Sequence, residues 1–126
     1  MIGLNREQII MLHNAIYECY GGDVGVLNEG MLDSALQAPF QTFGGEELIS
    51  DTMEKIVRLA FGLIKNHAFR DGNKRIGALV LLMLLELNGY PVKATNAEFA
   101  DIIMGVAASE KDEKDLMEWV KDHIAF

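Results

Sequence analysis

Cysteine, positive charge and long hydrophobic runs are all scarce in this chain of 126 residues. Its one cysteine, Cys19, cannot form a disulfide within the chain, which is typical of proteins from a reducing compartment. With 11 Lys and Arg against 19 Asp and Glu, the net charge of −8 argues against nucleic acid as the main partner, because a phosphate backbone requires a basic surface. Such a chain can still bind a small anion where a few cations are gathered in one place.

Membrane and export segments are missing as well. The longest apolar block, residues 76–85, is too short to span a bilayer, and residues 1–7 lack the basic and apolar regions of a signal peptide. We therefore expect a cytoplasmic protein without a membrane partner.

What the chain does have is the composition of one folded domain. Half of its residues are hydrophobic and 24% are charged, and its length suits a single core. Because no repeat, low-complexity tract or linker interrupts the pattern, we predict one domain over residues 1–126.

Helical periodicity runs through most of the chain. Apolar residues between Met53 and Ile64 follow the i, i+3, i+4, i+7 spacing, which predicts a long amphipathic helix ending near His67. Residues 78–85 are apolar on every side, as in a helix at the centre of a bundle. Four further helices are predicted, beginning after Asn5, Asn28 and Thr95 and around Trp119. The predicted fold class is therefore all-α, with six helices around one central apolar helix.

The segment 40–49 breaks this pattern. Its Gly44-Gly45 pair between two short polar and apolar stretches is a weak signal for a two-residue β-hairpin, and a plain loop explains the residues equally well. Both alternatives stay open.

General motifs for nucleotide and metal sites are absent, and the three histidines are too scattered for a compact metal motif. His13 and His123 fall on apolar helix faces. We interpret each as a histidine at the edge of the core with one hydrogen bond.

The loop around Asp71-Gly72 is the strongest candidate for chemistry, because it joins the amphipathic helix to the apolar one. Asp71-Gly72 is a turn signal, and Asn73 is well placed to cap the next helix. The free N–H groups of that first turn and the helix dipole favour an anion. Gly72 has no side chain to block a phosphate that approaches the backbone.

Two cations follow in an unfavourable place. Lys74 and Arg75 lie in the first helical turn, where each opposes the dipole at a cost of roughly 0.3–1 kcal/mol. An anion that binds there would explain both. Asp71 suits Mg²⁺ shared with phosphate, and His67 supplies a base, because a histidine ring can be neutral at pH 7. Taken one at a time, these residues are explained as well by a turn, a cap and solvated charges.

The nine residues 67–75, His-Ala-Phe-Arg-Asp-Gly-Asn-Lys-Arg, resemble the signature H-x-F-x-[DN]-[AG]-N-K-R of the Doc (death-on-curing) toxins, a branch of the Fic superfamily. The similarity extends along nearly the whole chain. Other residues in the family's order are Leu12-His13, Tyr20-Gly21-Gly22, Leu32 with Ala35, Thr42 to Gly45, Leu87 to Tyr90, and Trp119.

The resemblance implies the helical Fic/Doc fold, with the nine-residue motif between two central helices, and a nucleotide-dependent transferase that modifies a protein hydroxyl. It implies that His67 is the catalytic base and Asp71 the Mg²⁺ ligand. Phe69 is implied as the buried anchor of the loop. The residues implied for ATP phosphates are Gly72, Asn73, Lys74, Arg75 and the preceding Lys65.

Position 74 separates two reactions within the superfamily. Adenylyl-transferring members have glycine there, whereas Lys74 resembles the Doc branch, which implies phosphate transfer from ATP, with a translation elongation factor as one candidate target. Lys65 stands where the best-known member has arginine, and Leu79 where that member has a nucleotide-contacting asparagine.

Regulation is implied by a second absence. The self-inhibitory motif [ST]-x-x-x-E-[GN] does not occur, because a lysine follows both Glu54 and Glu113. The resemblance therefore implies restraint by a separate antitoxin chain. The alternatives to a toxin kinase are transfer of AMP to a protein hydroxyl and a binding module without turnover.

Overall fold

A computed structural model describes residues 1–125, and within them six α-helices and one small hairpin account for the fold. The bounds are α1 Arg6–Tyr20, α2 Glu29–Gln37, β1 Thr42–Phe43, β2 Glu46–Glu47, α3 Thr52–Lys65, α4 Asn73–Leu87, α5 Asn96–Ala107 and α6 Glu113–His123. A short 3-10 turn, Ala38–Phe40, follows α2. The all-α prediction is confirmed.

Side chains cap five of the six helix N-termini in residues 1–125. Asn5, Thr95 and Asp112 form reciprocal capping boxes, and Asn28 and Asp51 each accept one backbone hydrogen bond. These caps satisfy N–H groups that the helix itself leaves without an acceptor. The remaining helix, α4, begins without a side-chain cap.

Helices α3 and α4 form the centre of the bundle. Helix α3 packs against α2, α4, α5 and α6. The buried residues of α4 are Ile76, Gly77, Val80, Leu81, Leu84 and Leu85, and its other residues between 78 and 83 are partly buried. The two helices approach closely at Gly77, where an added Cβ would lie 2.4 Å from Ile64 Cγ1 and 3.1 Å from the carbonyl oxygen of Ala60. Glycine at this position therefore sets the separation of the central pair.

The segment 40–49 contains the hairpin. Thr42 pairs with Glu47 and Phe43 with Glu46 across Gly44-Gly45, whose φ angles of 60° and 83° are those of a two-residue hairpin turn. This decides between the two alternatives that the sequence left open.

An ion pair anchors the hairpin to α3. The ammonium of Lys55, a residue only 8% exposed, lies 2.6 Å from Glu47 Oε1 and 5.6 Å from the centre of the Phe40 ring. Lys55 precedes Lys65 by ten positions, so the anchor is about 15 Å along the helix axis from the C-terminal end of α3.

The C-terminal helix ends slightly earlier than its apolar pattern suggested. Ile124 lies outside α6 and forms a β-bridge with Val92. His123 Nδ1 donates one hydrogen bond to Trp119 O, as predicted, and its Nε2 lies 3.4 Å from Glu98 Oε2. No helix in residues 1–125 combines the length and apolar character needed to cross a membrane.

Candidate active site

The loop between α3 and α4 is held in place by backbone pairing. Ala68 O accepts hydrogen bonds from the N–H groups of Leu27 and Asn28, and Arg70 N–H donates to Gly25 O. Phe69 is 1% exposed beneath the loop, which confirms its prediction as a buried anchor.

Asn73 does not cap α4, and that prediction is wrong. It is the first residue of the helix, after Gly72. Its side-chain oxygen accepts from Phe69 N–H and its side-chain nitrogen donates to Phe69 O, both at 3.1 Å. This amide therefore ties the two ends of the loop together, and any contact of Asn73 with phosphate falls to its backbone N–H.

Gly72 takes the N-cap position in the left-handed conformation, with φ 75° and ψ 19°. Its N–H donates to Asp71 Oδ1 at 2.8 Å. Gly72 therefore serves the turn through its backbone conformation, while its own N–H is already bonded.

The next three N–H groups, of Asn73, Lys74 and Arg75, have no acceptor within residues 1–125. The side chains of Lys74 and Arg75 are exposed beside them and form no ion pair in that part of the chain. The Arg75 guanidinium lies 4.5 Å from the centre of the Tyr20 ring, a cation–π contact that holds it at the rim. Free donors and two cations thus converge at one helix end.

His67 lies on the other side of this loop, directly after the C-cap of α3 at Asn66. It is exposed and has φ 50°, a conformation that residues other than glycine rarely adopt. Such backbone strain concentrates at functional sites. The first position after a helix C-cap is where glycine is usual, so the histidine is not explained by local folding preference.

The Asp71 carboxylate lies against Gly22, where an added Cβ would come within 2.3 Å of Asp71 Oδ2. No group of three His, Cys, Asp or Glu in residues 1–125 could hold a metal ion alone. A single exposed carboxylate next to free N–H groups fits Mg²⁺, which commonly takes one or two carboxylates and completes its shell with water and phosphate oxygens.

Lys65 is placed differently from the other predicted phosphate ligands. Its ammonium donates to the hydroxyl of Ser109 in the connection between α5 and α6. Lys65 and Leu79 do not line the cleft described next, although Ile64 and Ala78 beside them do.

A cleft of about 1120 Å³ contains the predicted site residues other than Lys65. His67, Asp71 and the start of α4 form its polar side. Most of its apolar lining forms a wall from α5, with Phe99, Ala100, Ile103, Met104 and Ala107. The volume suits a ligand of nucleotide size.

The comparison with known proteins agrees with this geometry. A sequence model of the Fic/DOC family matches residues 3–85, which include the loop and most of α4. The chain belongs to the Fic/DOC family. The predicted resemblance is thereby confirmed, together with its Doc branch.

Two relatives represent the Doc branch. Toxin Doc of Mycolicibacterium smegmatis (strain ATCC 700084 / mc(2)155) is 31% identical over 91 residues, which cover 72% of this chain and 68% of that protein. Protein kinase doc of Escherichia phage P1 is 31% identical over 107 residues, which cover 85% of this chain and 83% of that protein.

The α5 wall of this Fic/DOC cleft was missed by reasoning from the sequence. It lies outside residues 3–85, and its periodic residues indicated only an ordinary core-facing helix. The sequence shows only that Ala100 and Met104 continue the apolar character onto a second face of this helix, and the structure adds that both are exposed, Met104 by 59%. Exposed apolar side chains on an otherwise core-facing helix indicate a binding surface.

Proposed function

We propose that this Fic/DOC protein transfers a phosphate group from ATP to a hydroxyl of a protein, with His67 as the base. The observation that carries the proposal is the convergence of two cations and three N–H groups at the start of α4, in the same cleft as His67. Within residues 1–125 the cations form no ion pair and the N–H groups have no acceptor. The name of the phage relative, a protein kinase, favours phosphate over AMP as the transferred group.

His67 would accept the proton of the attacking hydroxyl. The oxygen of the acceptor forms a bond to the terminal phosphorus, the bond from that phosphorus to the bridging oxygen breaks, and ADP leaves. Histidine suits this step because its neutral ring nitrogen accepts a proton near pH 7. Its position after α3 leaves the side chain exposed to an incoming protein segment.

Lys74, Arg75 and the N–H groups of residues 73–75 would hold the phosphates through charge and oriented donors. Asp71 would hold Mg²⁺, which supplies charge neutralisation on the phosphates when it is bound. Phe99 and Ile103 of the α5 wall offer an apolar surface for the base of the nucleotide.

The hairpin is the candidate docking element for the target protein. It does not line the cleft, and Phe43 near its tip is 81% exposed. The anchor of the hairpin is about 15 Å along α3 from the cleft, a distance that four to five extended residues cover at about 3.3 Å each. A target strand paired with β1 would thus bring a nearby hydroxyl to His67.

The relatives support a proposal for the biological setting. One is named a toxin, so we propose that this chain acts as a toxin in a bacterial cytoplasm and is restrained by an antitoxin chain. A translation elongation factor remains a candidate target.

The test is mass spectrometry of a bacterial lysate treated with the protein and ATP. The wild type should add one phosphate to a Ser or Thr of a defined protein, and His67→Ala should not. His123→Ala is the matched control, because His123 lies outside the cleft. A gain of one AMP would replace phosphate transfer by nucleotidyl transfer, and no gain in mass would leave only a binding module.

A further inference from the structure

His13 is a buried histidine that the proposed reaction does not use. It is 2% exposed on the inner face of α1 and stacks on the ring of Phe69, with centroids 4.0 Å apart and planes 11° apart. Its Nε2 lies 2.6 Å from Asp71 O, across 58 residues of chain. A Cβ added to Gly72 would lie 3.4 Å from the same nitrogen. His13 therefore lies directly beneath the Asp71-Gly72 turn.

The arrangement of its two nitrogens sets His13 apart from a histidine that only fills space. Asp71 O can only accept, so Nε2 carries the hydrogen and donates. Nδ1 is buried without a partner in residues 1–125. A buried polar atom without a partner lowers stability, and phenylalanine would avoid that cost but would lose the bond to Asp71 O. The presence of histidine at position 13 is explained if the hydrogen bond that Nε2 donates to Asp71 O is needed.

The donor holds one end of a single peptide group. Asp71 C=O and Gly72 N–H belong to the same peptide plane; His13 Nε2 donates to the oxygen, and Asp71 Oδ1 accepts from the N–H at 2.8 Å. Because Gly72 tolerates both signs of φ, rotation of this plane would otherwise meet little steric resistance. The rotated carbonyl oxygen would no longer point at His13, and the carboxylate would lose its bond to Gly72.

We infer that His13 is a positioning residue, which fixes the Asp71–Gly72 peptide so that the Asp71 carboxylate and the N–H groups of residues 73–75 face the nucleotide. The inference rests on the proposed function for the ligand. The inference can still be tested separately from that function, because the order of the loop is measurable without any nucleotide.

The experiment compares four folded proteins. His13→Phe keeps an aromatic stack on Phe69 and removes the donor, whereas His13→Gln restores a donor at the reach of Nε2. His123→Phe is the matched control, since His123 stacks on Trp119 at 4.0 Å and 16° and bonds Trp119 O at 2.7 Å, away from the cleft. Amide hydrogen exchange of Phe69, Arg70 and Gly72, the loop residues whose N–H groups form hydrogen bonds, is measured without nucleotide. ATP affinity is measured by calorimetry with and without Mg²⁺.

His13→Phe should accelerate exchange of these three amides and weaken Mg²⁺-dependent ATP binding, each by about five- to tenfold, the effect of one lost hydrogen bond. His13→Gln should recover most of both, and His123→Phe should change neither. Transfer assays on the same proteins should show a higher KM for ATP in His13→Phe with a smaller change in kcat.

Exchange and affinity in His13→Phe equal to those of the wild type would overturn the inference. If the wild type fails to bind ATP, the proposed function fails, yet the exchange comparison still decides the role of His13. If His13→Phe does not fold, His13→Met and His13→Gln make the same comparison, because both are unbranched and only glutamine carries a donor.

Discussion

Replacing His67 with glycine should stabilise the protein while it removes activity. His67 has φ 50° at the position after the α3 C-cap, where a residue with a Cβ costs about 1–2 kcal/mol. Glycine removes that cost, but it also raises the conformational entropy of the unfolded chain, which destabilises the folded state by about 0.4–1 kcal/mol. The difference leaves a net stabilisation of about 0.5–1 kcal/mol, which raises Tm by about 2–4 °C for a domain of this size.

Alanine provides the necessary comparison, because His67→Ala retains a Cβ and thus most of the backbone strain. Its Tm should stay close to that of the wild type, and both variants should lose phosphate transfer. Ser109→Gly tests the stability argument separately, because Ser109 has φ 62°, the other positive φ at a non-glycine position in residues 1–125. Because Ser109→Gly also loses the hydroxyl that accepts from Lys65, its reference is Ser109→Ala, which loses the same bond but keeps a Cβ. Ser109→Gly should melt above Ser109→Ala.

Calorimetric melting without nucleotide and a transfer assay measure the two effects. A His67→Gly protein that melts below His67→Ala would refute the argument from left-handed strain. Transfer at the wild-type rate in either variant would refute the assignment of His67 as the base. The combination expected here, higher stability with lost activity, is the trade-off of a site whose strained residue is kept for chemistry.

Four further outcomes are expected. Asp71→Asn and Lys74→Ala should each weaken Mg²⁺-dependent ATP binding in calorimetry, and unchanged affinity in both would count against the site. Lys74→Ala should also raise the free energy of unfolding by about 0.3–1 kcal/mol, because it removes a cation from a helix N-terminus. Gly77→Ala should lower the free energy of unfolding in urea by about 1–2 kcal/mol through overpacking, despite its better helix propensity, and a neutral result would mean that the facing helix yields. Thr42→Pro removes an outward N–H of β1 and should reduce target modification, with ATP binding unchanged; normal modification would place docking elsewhere. A hydrogen bond from the backbone N–H of Thr95, the N-cap of α5, lowers the pKa of the Glu98 carboxyl in the folded protein. The ionised carboxylate therefore stabilises the fold at pH values above the ordinary carboxyl pKa, and this contribution is lost as the pH falls through the lowered pKa of the folded state. The Tm of Glu98→Gln should therefore decrease less than that of the wild type as the pH is lowered into the acidic range. An equal decrease in both proteins would contradict this role of Glu98.

Thr42 is a better site for proline than the facing Glu47. Leu48 N–H donates to Gln41 O, and pairs in an antiparallel ladder alternate, so the Thr42–Glu47 pair directs its backbone groups outward. Glu47 also holds the buried ammonium of Lys55, so its replacement would loosen the hairpin as well as alter its edge. Thr42→Val, which keeps the N–H, is the matched control.

Local signals in the sequence were sufficient for the helices and for the identity of the loop. Capping boxes at Asn5 and Thr95 and the apolar spacing within α3 involve residues at most a few positions apart, so they can be recognised directly in the sequence. The nine residues of the loop are contiguous, and their order alone indicated the Fic/Doc family. The hairpin was undecided because a Gly-Gly pair suits a turn and a loop equally well.

Partners that are distant in sequence were decided only by the tertiary structure. Periodicity indicates which face of a helix is buried but not what covers it, so it could not pair His13 with Asp71 or Lys65 with Ser109. The cap expected from Asn73 failed for a related reason. Its amide found both a donor and an acceptor on Phe69 once the loop had closed, and two hydrogen bonds to a buried residue outcompete one cap at a solvent-exposed helix end.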